Sequence, residues 1–412
     1  MSTHKKMNPL KLLHVIGDSC FGGAGRIILR LGQVAKAEGW QVDVLTTDPV
    51  FRRAVRQYGL GLVNMDVVRR EIRPLWDLGG LVRLSNFLRR EHYGIVHTHT
   101  SKGGFVGRLA ARLAGVPVIV HTVHGFAFHE RSPHSARLFY STLERIASQW
   151  CDRIVSVSEF HRRWALELRI CSPSKVVAIP NGIAALANPE VPRAELRRQL
   201  GVRNGDLLIL SMARLAPDKG LEFLIEAAAI LLRTECRFQI VIAGDGPVRA
   251  RLEDLTRNLG VADWVTFLGF REDVSDLLAA SDLVVLPSLR EGLSIALLEA
   301  MAAGKPIIAT SIGSHRELAS QAQIARLVPS ADAPALCEAI LQVAPDTKLM
   351  ARLGMNARTL FESHYTEEKM LDTYQQLYFD LLREKCPIEA SGMGLQNDLK
   401  RPAGSLANVV NR

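Results

Sequence analysis

The chain's 412 residues exceed what one ordinary hydrophobic core holds, so two or three domains are expected. Its 48% hydrophobic and 23% charged residues are ordinary for a soluble globular protein, and no run approaches the roughly 18–20 uncharged apolar residues that a membrane-spanning helix needs. The net charge of +9 is unevenly held: residues 1–185 carry 26 Lys and Arg against 13 Asp and Glu, whereas residues 186–412 carry 25 against 29. Such asymmetry predicts an anionic partner for the first half, through Arg52, Arg53, Arg56, Arg69, Arg70, Arg73, Arg83, Arg89, Arg90, Arg108 and Arg112. A membrane surface, a lipid phosphate or a nucleic acid would each fit.

The basic N-terminus leads into "KLLHVIG" (11–17), whose short apolar run holds a His and so reads as a first strand and not as a signal peptide. Further strands are expected at "QVDVLTT" (41–47), "IVHTHT" (95–100), "VPVIVHTVHG" (116–125), "RIVSVS" (153–158) and "KVVAIPNG" (175–182), with amphipathic helical stretches such as 24–39 between them. Continuous apolar strands alternating with helices mean a parallel sheet covered on both faces. A Pro-containing stretch, "IAALANPEVPRAEL" (183–196), reads as a linker. Alternation restarts at 206–215, 238–247, 265–270, 282–288 and 306–313, and a helix is expected near 367–385. The predicted domains are 1–185, a linker 186–204, 205–365, a helix 366–386 that could pack back on the first domain, and a disordered tail 387–412. The six cysteines form no CxxC or Cys/His cluster, so neither a disulfide framework nor a structural zinc site is predicted, and a reducing cytoplasm is the default.

Two such domains face each other with the carboxyl ends of their strands, where open α/β sheets bind ligands. After the first strand, "GDSCFGGAGR" (17–26) supplies Gly22, Gly23 and Gly25 before a helix, allowing close backbone approach to a phosphate or sugar without the GxGxxG spacing of a dinucleotide fingerprint. Asp48 ends the second strand where a ribose-binding acid could sit. His97, His99, His121 and His124 lie near strand ends; lacking a nearby Cys or carboxylate, they are read as polar groups lining a cleft more than as zinc ligands, with His124 best placed. In "ARLAPDKG" (213–220), Arg214 and Lys219 flank a turn as a clamp for a diphosphate. "AGDGP" (243–247) is a further glycine loop.

The stretch "REGLSIALLEAMAAGKP" (290–306) joins these features. Glu291 lies in the exit loop of a buried strand, and Ser294 starts a helix that Gly304 ends. That helix start offers free N–H groups to a phosphate. Glu299, some 7–8 Å further along the axis, is spaced to hold ribose hydroxyls. A nucleotide diphosphate with a sugar attached satisfies all of these at once.

The second half resembles the retaining, GT-B-fold glycosyltransferases of family 4, through "RLAPDKG", "AGDGP", "VTFLGF" and above all "PSLREGLSIALLEAMAAGKPIIAT", whose two acids match the family's E-x7-E motif. The first half agrees through "GGAG", "HTHTSKGGFVGRLAARLAGVPVIVHTVHG", "VSVSE" and "PNGI". The resemblance covers roughly residues 8–385. It implies two Rossmann-like domains: an acceptor-binding one, then one for a nucleotide-sugar donor, a UDP-sugar by preference. It implies that Arg214 and Lys219, with Gly23 and Ser294, hold the donor diphosphate. Glu291, Gly292 and Leu293 would contact the transferred sugar, Glu299 the ribose, and His124 would lie beside the reacting sugar. Gly25 departs from the Glu often found there, and Ser294 from the common Gly. No obligatory metal or other cofactor is implied. The first half looks most like enzymes of bacterial exopolysaccharide, capsule or O-antigen assembly. The expected acceptor is therefore a lipid-linked or membrane-held glycan, and the expected location the cytoplasmic face of the inner membrane. The alternatives are a nucleotide-sugar epimerase or hydrolase of the same shape and a nucleic-acid-binding protein; for the latter, interleaved aromatics and a groove-reading helix are missing.

Overall fold

The computed structural model describes residues 9–17, 21–68 and 74–386. The N-terminal eight residues, Cys20, Arg69, Arg70, Arg73 and the tail read above as disordered lie outside the described residues.

The first domain runs β1 (Lys11–Gly17), α1 (Gly23–Ala37), β2 (Gln41–Thr46), α2 (Pro49–Gln57), β3 (Gly61–Val63), α3 (Pro74–Glu91), β4 (Ile95–His99), α4 (Ser101–Ala114), β5 (Val118–Val123), α5 (His134–Ser148), β6 (Arg153–Ser156), α6 (Glu159–Glu167) and β7 (Val176–Ala178). The second runs α7 (Arg193–Gln199), β8 (Leu207–Met212), α8 (Leu221–Leu231), β9 (Phe238–Ala243), α9 (Arg249–Asn258), β10 (Val265–Gly269), α10 (Val274–Ala280), β11 (Leu283–Leu286), α11 (Ile295–Ala302), β12 (Ile307–Thr310), α12 (Gly313–Gln321), β13 (Arg326–Val328), α13 (Ala333–Val343) and α14 (Thr347–His364). A last helix, α15 (Glu367–Lys385), follows.

Both sheets are wholly parallel, with strand orders β3-β2-β1-β4-β5-β6-β7 and β10-β9-β8-β11-β12-β13. In each, the direction of winding reverses once, between β1 and β4 and between β8 and β11. A crevice opens at such a reversal, where ligands bind. Apolar side chains cover both faces of each sheet, which is why these strands read as unbroken hydrophobic runs.

The three-residue strands β3 and β13 escape a reading of the sequence, lacking the adjacent valines that mark the equally short β7. Part of the stretch read as a linker is helical. Arg193 and Arg197 of α7 both pair with Asp282, and Leu196 is buried against the second domain's core.

The chain crosses between the domains twice, side by side. Ile183 and Thr366 form a parallel bridge, and the Glu367 N–H donates to the Ile183 carbonyl at 2.8 Å. Gly182 touches the second crossing so closely that a Cβ there would lie 2.2 Å from the Thr366 carbonyl oxygen. Helix α15 then returns to the first domain. Its Met370, Leu371, Tyr374, Tyr378, Leu381 and Leu382 pack with Leu31, Trp40 and Val118, and Arg30 forks onto Glu367 at 2.5 and 2.8 Å.

Candidate active site

The groups at the two reversal points meet across the cleft. From the second domain, β11 ends in a loop carrying Glu291, and α11 starts at Ser294, whose hydroxyl caps it by accepting the Leu297 N–H at 3.3 Å. The helix-favouring run "IALLEAMA" follows, and Gly304, at φ +63, ends it as the sequence predicts. With the first helical N–H groups lacking intrahelical partners, this end is disposed to hold an anion.

Lys219 closes the short turn after β8, and its Nζ lies 2.6 Å from Glu291 Oε1, which also accepts the Ser288 hydroxyl at 2.9 Å. Both partners are largely buried, at 18% and 12% exposure, so the pair is poorly screened and each group is held for the other. Arg214 is freer: 46% exposed, its only ion pair among the described residues is with Asp218 at 3.6 Å. The loop is locked by close backbone contact. A Cβ on Gly220 would lie 2.3 Å from the Pro287 carbonyl oxygen, and one on Gly244 1.8 Å from that of Ala213. The "AGDGP" glycines therefore serve loop-on-loop packing, with Leu215 N–H donating to the Asp245 carbonyl at 2.9 Å.

Glu299 sits one turn into α11, with Oε1 3.5 Å from Arg26 of α1 in the other domain. Burial pushes its carboxyl above the usual range, and Arg26 opposes that rise. Gly23 starts α1 against α11, where a Cβ would stand 2.9 Å from Ile295 Cγ1. Gly292 lies against the backbone of His124, where a Cβ would fall 1.9 Å from the His124 carbonyl oxygen. The side chain of Leu293 is buried and its carbonyl accepts the Asn181 amide at 3.2 Å. Thus Gly23, His124, Arg214, Lys219, Glu291, Gly292, Leu293, Ser294 and Glu299 converge on one cleft. The two domains are also tied by Glu317 of α12, which accepts the Glu159 and Phe160 N–H groups at 3.0 and 2.5 Å.

Several expectations need correction. Asp48 is no ribose ligand in waiting: it caps α2, accepting the Phe51 N–H at 2.7 Å. Arg108 contributes nothing to a basic surface, being wholly buried with its guanidinium on Glu144 at 2.8 Å and on the Gly104 carbonyl. His97 and His121 do not line the cleft. His97 bonds Tyr378 OH at 2.5 Å and Thr122 Oγ1 at 2.7 Å, and His121 bonds Thr98 Oγ1 at 2.9 Å, all in the interior. His14, His97 and His99 place ligand atoms within 4.8 Å of one another. Every one of their ring nitrogens except His14 Nε2 is nevertheless engaged by a neighbour, and none is a carboxylate to offset a cation. Hydrogen bonding accounts for this cluster better than ligation does.

Sequence reasoning misses Ser288, Asn181, His14 and His99's inward role. His14 alone carries a signal, as the single polar residue inside an apolar strand; the two-residue spacing of His97 and His99 puts both on one face.

Two facing Rossmann-like domains, with a cation, two acids and a helix start gathered at the second reversal point, define the GT-B class of glycosyltransferases. Residues 21–185 match the family described as Glycosyltransferase Family 4, and residues 192–360 the family described as Glycosyl transferases group 1. The chain belongs to the family 4 glycosyltransferases and is a transferase enzyme. It is 30% identical to the putative glycosyltransferase EpsD of Bacillus subtilis, over 84% of this chain and 91% of that one. It is 29% identical to the UDP-Gal:alpha-D-GlcNAc-diphosphoundecaprenol alpha-1,3-galactosyltransferase of Escherichia coli, over 93% of this chain and all of that one. Among solved structures, HepE from Anabaena in complex with UDP-glucose shares the fold at a TM-score of 0.76 and 22% identity, over 90% of this chain and 99% of that one.

Proposed function

We propose that this protein moves a hexose or N-acetylhexosamine from a UDP-sugar to a lipid-linked glycan precursor in cell-surface polysaccharide assembly, with retention of anomeric configuration. The observation that carries this reading is the Lys219–Glu291 pair at the mouth of the Ser294-capped helix, with Glu299 one turn further on. The E. coli relative, whose name specifies a diphosphoundecaprenol acceptor, supports the acceptor class.

In this reading the donor diphosphate lies against the first N–H groups of α11 and the backbone at Gly23. It draws Lys219 away from Glu291 and takes Arg214 as its second cation. Glu299 accepts the ribose hydroxyls. Glu291, still held by Ser288, turns to the hydroxyls of the sugar, beside the Gly292–Leu293 backbone. As the bond from the anomeric carbon to the diphosphate breaks, charge grows on the leaving oxygens, where preorganised cations and amides stabilise it. The acceptor oxygen bonds to the same face of that carbon, and its proton passes to the leaving phosphate. His124 faces the sugar from the acceptor side. This scheme assigns no resident metal.

The first domain meets the membrane-held acceptor. Leu75, Leu78 and Val82 are exposed on α3 together with Arg83, Arg89 and Arg90 on the same helix, an apolar and cationic combination suited to an anionic lipid surface. Among the described residues, no helix is long and apolar enough to cross a membrane.

The test is a panel of UDP-, GDP- and ADP-sugars incubated with polyprenyl-diphosphate-linked saccharides, with the anomeric configuration of the product read by NMR. An α-linked product from a UDP-α-sugar is expected. Donor consumed equally fast without acceptor would replace transfer by epimerisation or hydrolysis, and an inverted product would remove the retaining step. Flotation with anionic vesicles should carry the protein upward, and Arg83→Glu/Arg89→Glu/Arg90→Glu should leave it at the bottom; equal flotation of both would remove the membrane reading.

A further inference from the structure

A chain of three imidazoles runs from the interior of the first domain to the cleft. His14 Nδ1 lies 3.0 Å from His99 Nε2, and His99 Nδ1 lies 3.1 Å from His124 Nε2. His14 and His99 are wholly buried, on β1 and at the end of β4, while His124 is half-buried beyond the end of β5. At the inner terminus, His14 Nε2 is buried without a hydrogen-bond partner. At the outer terminus, His124 Nδ1 bonds no other described residue, on a ring that is only half-buried.

Burial lowers the pKa of His14 to about 3 and of His124 to about 4, and holds that of His99 well below its ordinary value. Each ring is therefore neutral near pH 7 and carries one N–H, so only two arrangements make both bonds. If protons point inward, His124 donates from Nε2 to His99, His99 donates from Nε2 to His14, and His14 is left with a buried N–H aimed at nothing. If they point outward, His14 donates from Nδ1 to His99 Nε2, and His99 from Nδ1 to His124 Nε2. The atom left over is then only a bare lone pair on His14. Orphaned buried N–H groups are the rarer defect. The same fold tolerates the commoner one at His315. There Nδ1 must donate to the Thr310 carbonyl at 2.9 Å, because a carbonyl only accepts, and the bare Nε2 is buried without a partner.

We infer that His14 is a positioning residue which, acting through His99, fixes His124 as the Nδ1–H tautomer, so that His124 offers the cleft a hydrogen-bond donor and no basic lone pair. This inference rests on the cleft being the transfer site only for its consequence: His124 donates to an oxygen of the sugar or acceptor and removes no proton, leaving that task to the departing phosphate.

The test reads tautomers directly and needs no substrate. Long-range proton–nitrogen NMR spectra of the full chain labelled with [15N]histidine are recorded near pH 7.5, with His124 assigned by its loss in His124→Gln. The expected spectrum has the proton on His124 Nδ1 and an unprotonated Nε2. His14→Leu, which removes the terminal donor, should shift His124 toward the Nε2–H form that free histidine prefers. His14→Asn, whose amide nitrogen stands near the place of Nδ1, should restore the native tautomer. A His124 protonated on Nε2 in the unaltered protein would overturn the inference, and that measurement decides the matter even if His14→Leu fails to fold. An unchanged tautomer in folded His14→Leu would overturn it equally. A shifted tautomer should lower kcat about ten-fold, the worth of one hydrogen bond, with KM for the donor kept. A shifted tautomer with unchanged kcat would uphold the relay and remove His124 from the transfer step.

Discussion

Lys219 and Glu291 neutralise each other across 2.6 Å, and this sets what their removal should do. Lys219→Ala leaves a buried carboxylate with the Ser288 hydroxyl as its one side-chain partner among the described residues and, in the proposed scheme, takes a cation from the leaving group. Turnover should fall by about 10²- to 10³-fold, the range for losing one preorganised stabiliser of transition-state charge. Glu291→Ala should cost turnover to a similar degree. In the proposed scheme Glu291 competes with the diphosphate for Lys219, so this variant should bind free UDP as tightly as the unaltered protein or more so. Calorimetric titration of both variants with UDP separates the roles. Near-normal turnover in either, with folding verified by circular dichroism, would remove that residue from the site.

Among the elements, the buried tie between α4 and α5 is the most exposed to single substitutions. Arg108 is wholly buried and Glu144 nearly so. Glu144→Ala leaves an unpaired guanidinium in the interior and should cost about 3–5 kcal/mol in chemical denaturation. The double change Arg108→Met/Glu144→Leu should recover most of that loss; no loss in the single variant would show that the pair is solvated.

The strands β1, β4 and β5 make a second prediction, for pH. His14, His97, His99, His121 and His124 all have folded-state pKa values below their unfolded ones, because burial disfavours the charged ring. The unfolded chain therefore binds more protons as pH drops below about 6.5. Each ring that stays neutral only in the fold then costs about 1.4 kcal/mol of stability per pH unit. Stability should be full above about pH 6.5 and fall steeply between there and about pH 4. A thermal midpoint that stays level across that window would contradict the burial of the cluster as neutral rings.

These elements also show what the sequence can reveal. β1 and α15 are legible, because a short apolar run closed by Gly17 and a long 3.6-residue period mark a strand and a helix. Glu291, Ser294 and Glu299 are legible because a strand, a loop and a helix of one short segment place them. The inward histidines are not: that His14 meets His99 depends on β1 pairing with β4, eighty-five residues away, which no local pattern encodes. Arg108 misleads for the same reason, its partner being on the next helix.

For the molecule as a whole, two glycines bring the domains into close contact. Gly292 lies against the His124 carbonyl and Gly23 against Ile295, so neither position has room for a side chain when the domains are apposed as here. Gly292→Ala should hold the cleft open by about an ångström or more, a displacement that can cost about 100-fold in rate. The domains and their melting should be spared. Small-angle scattering should report a larger radius of gyration than for the unaltered chain; an unchanged radius and rate would mean that this apposition is not the catalytic one. Such opening would bend the chain at its doubled crossing, where Ile183 pairs with Thr366.

The most direct test of the central claim is the thermal midpoint of the purified protein with UDP, GDP or ADP, beside a Lys219→Ala control. A ligand that binds only the folded chain adds about 2.7 kcal/mol of stability at one hundred times its dissociation constant. The account predicts a rise of several degrees with UDP that Lys219→Ala abolishes. No rise with any of the three nucleotides, or an equal rise in the control, would contradict a diphosphate site at Lys219 and the start of α11.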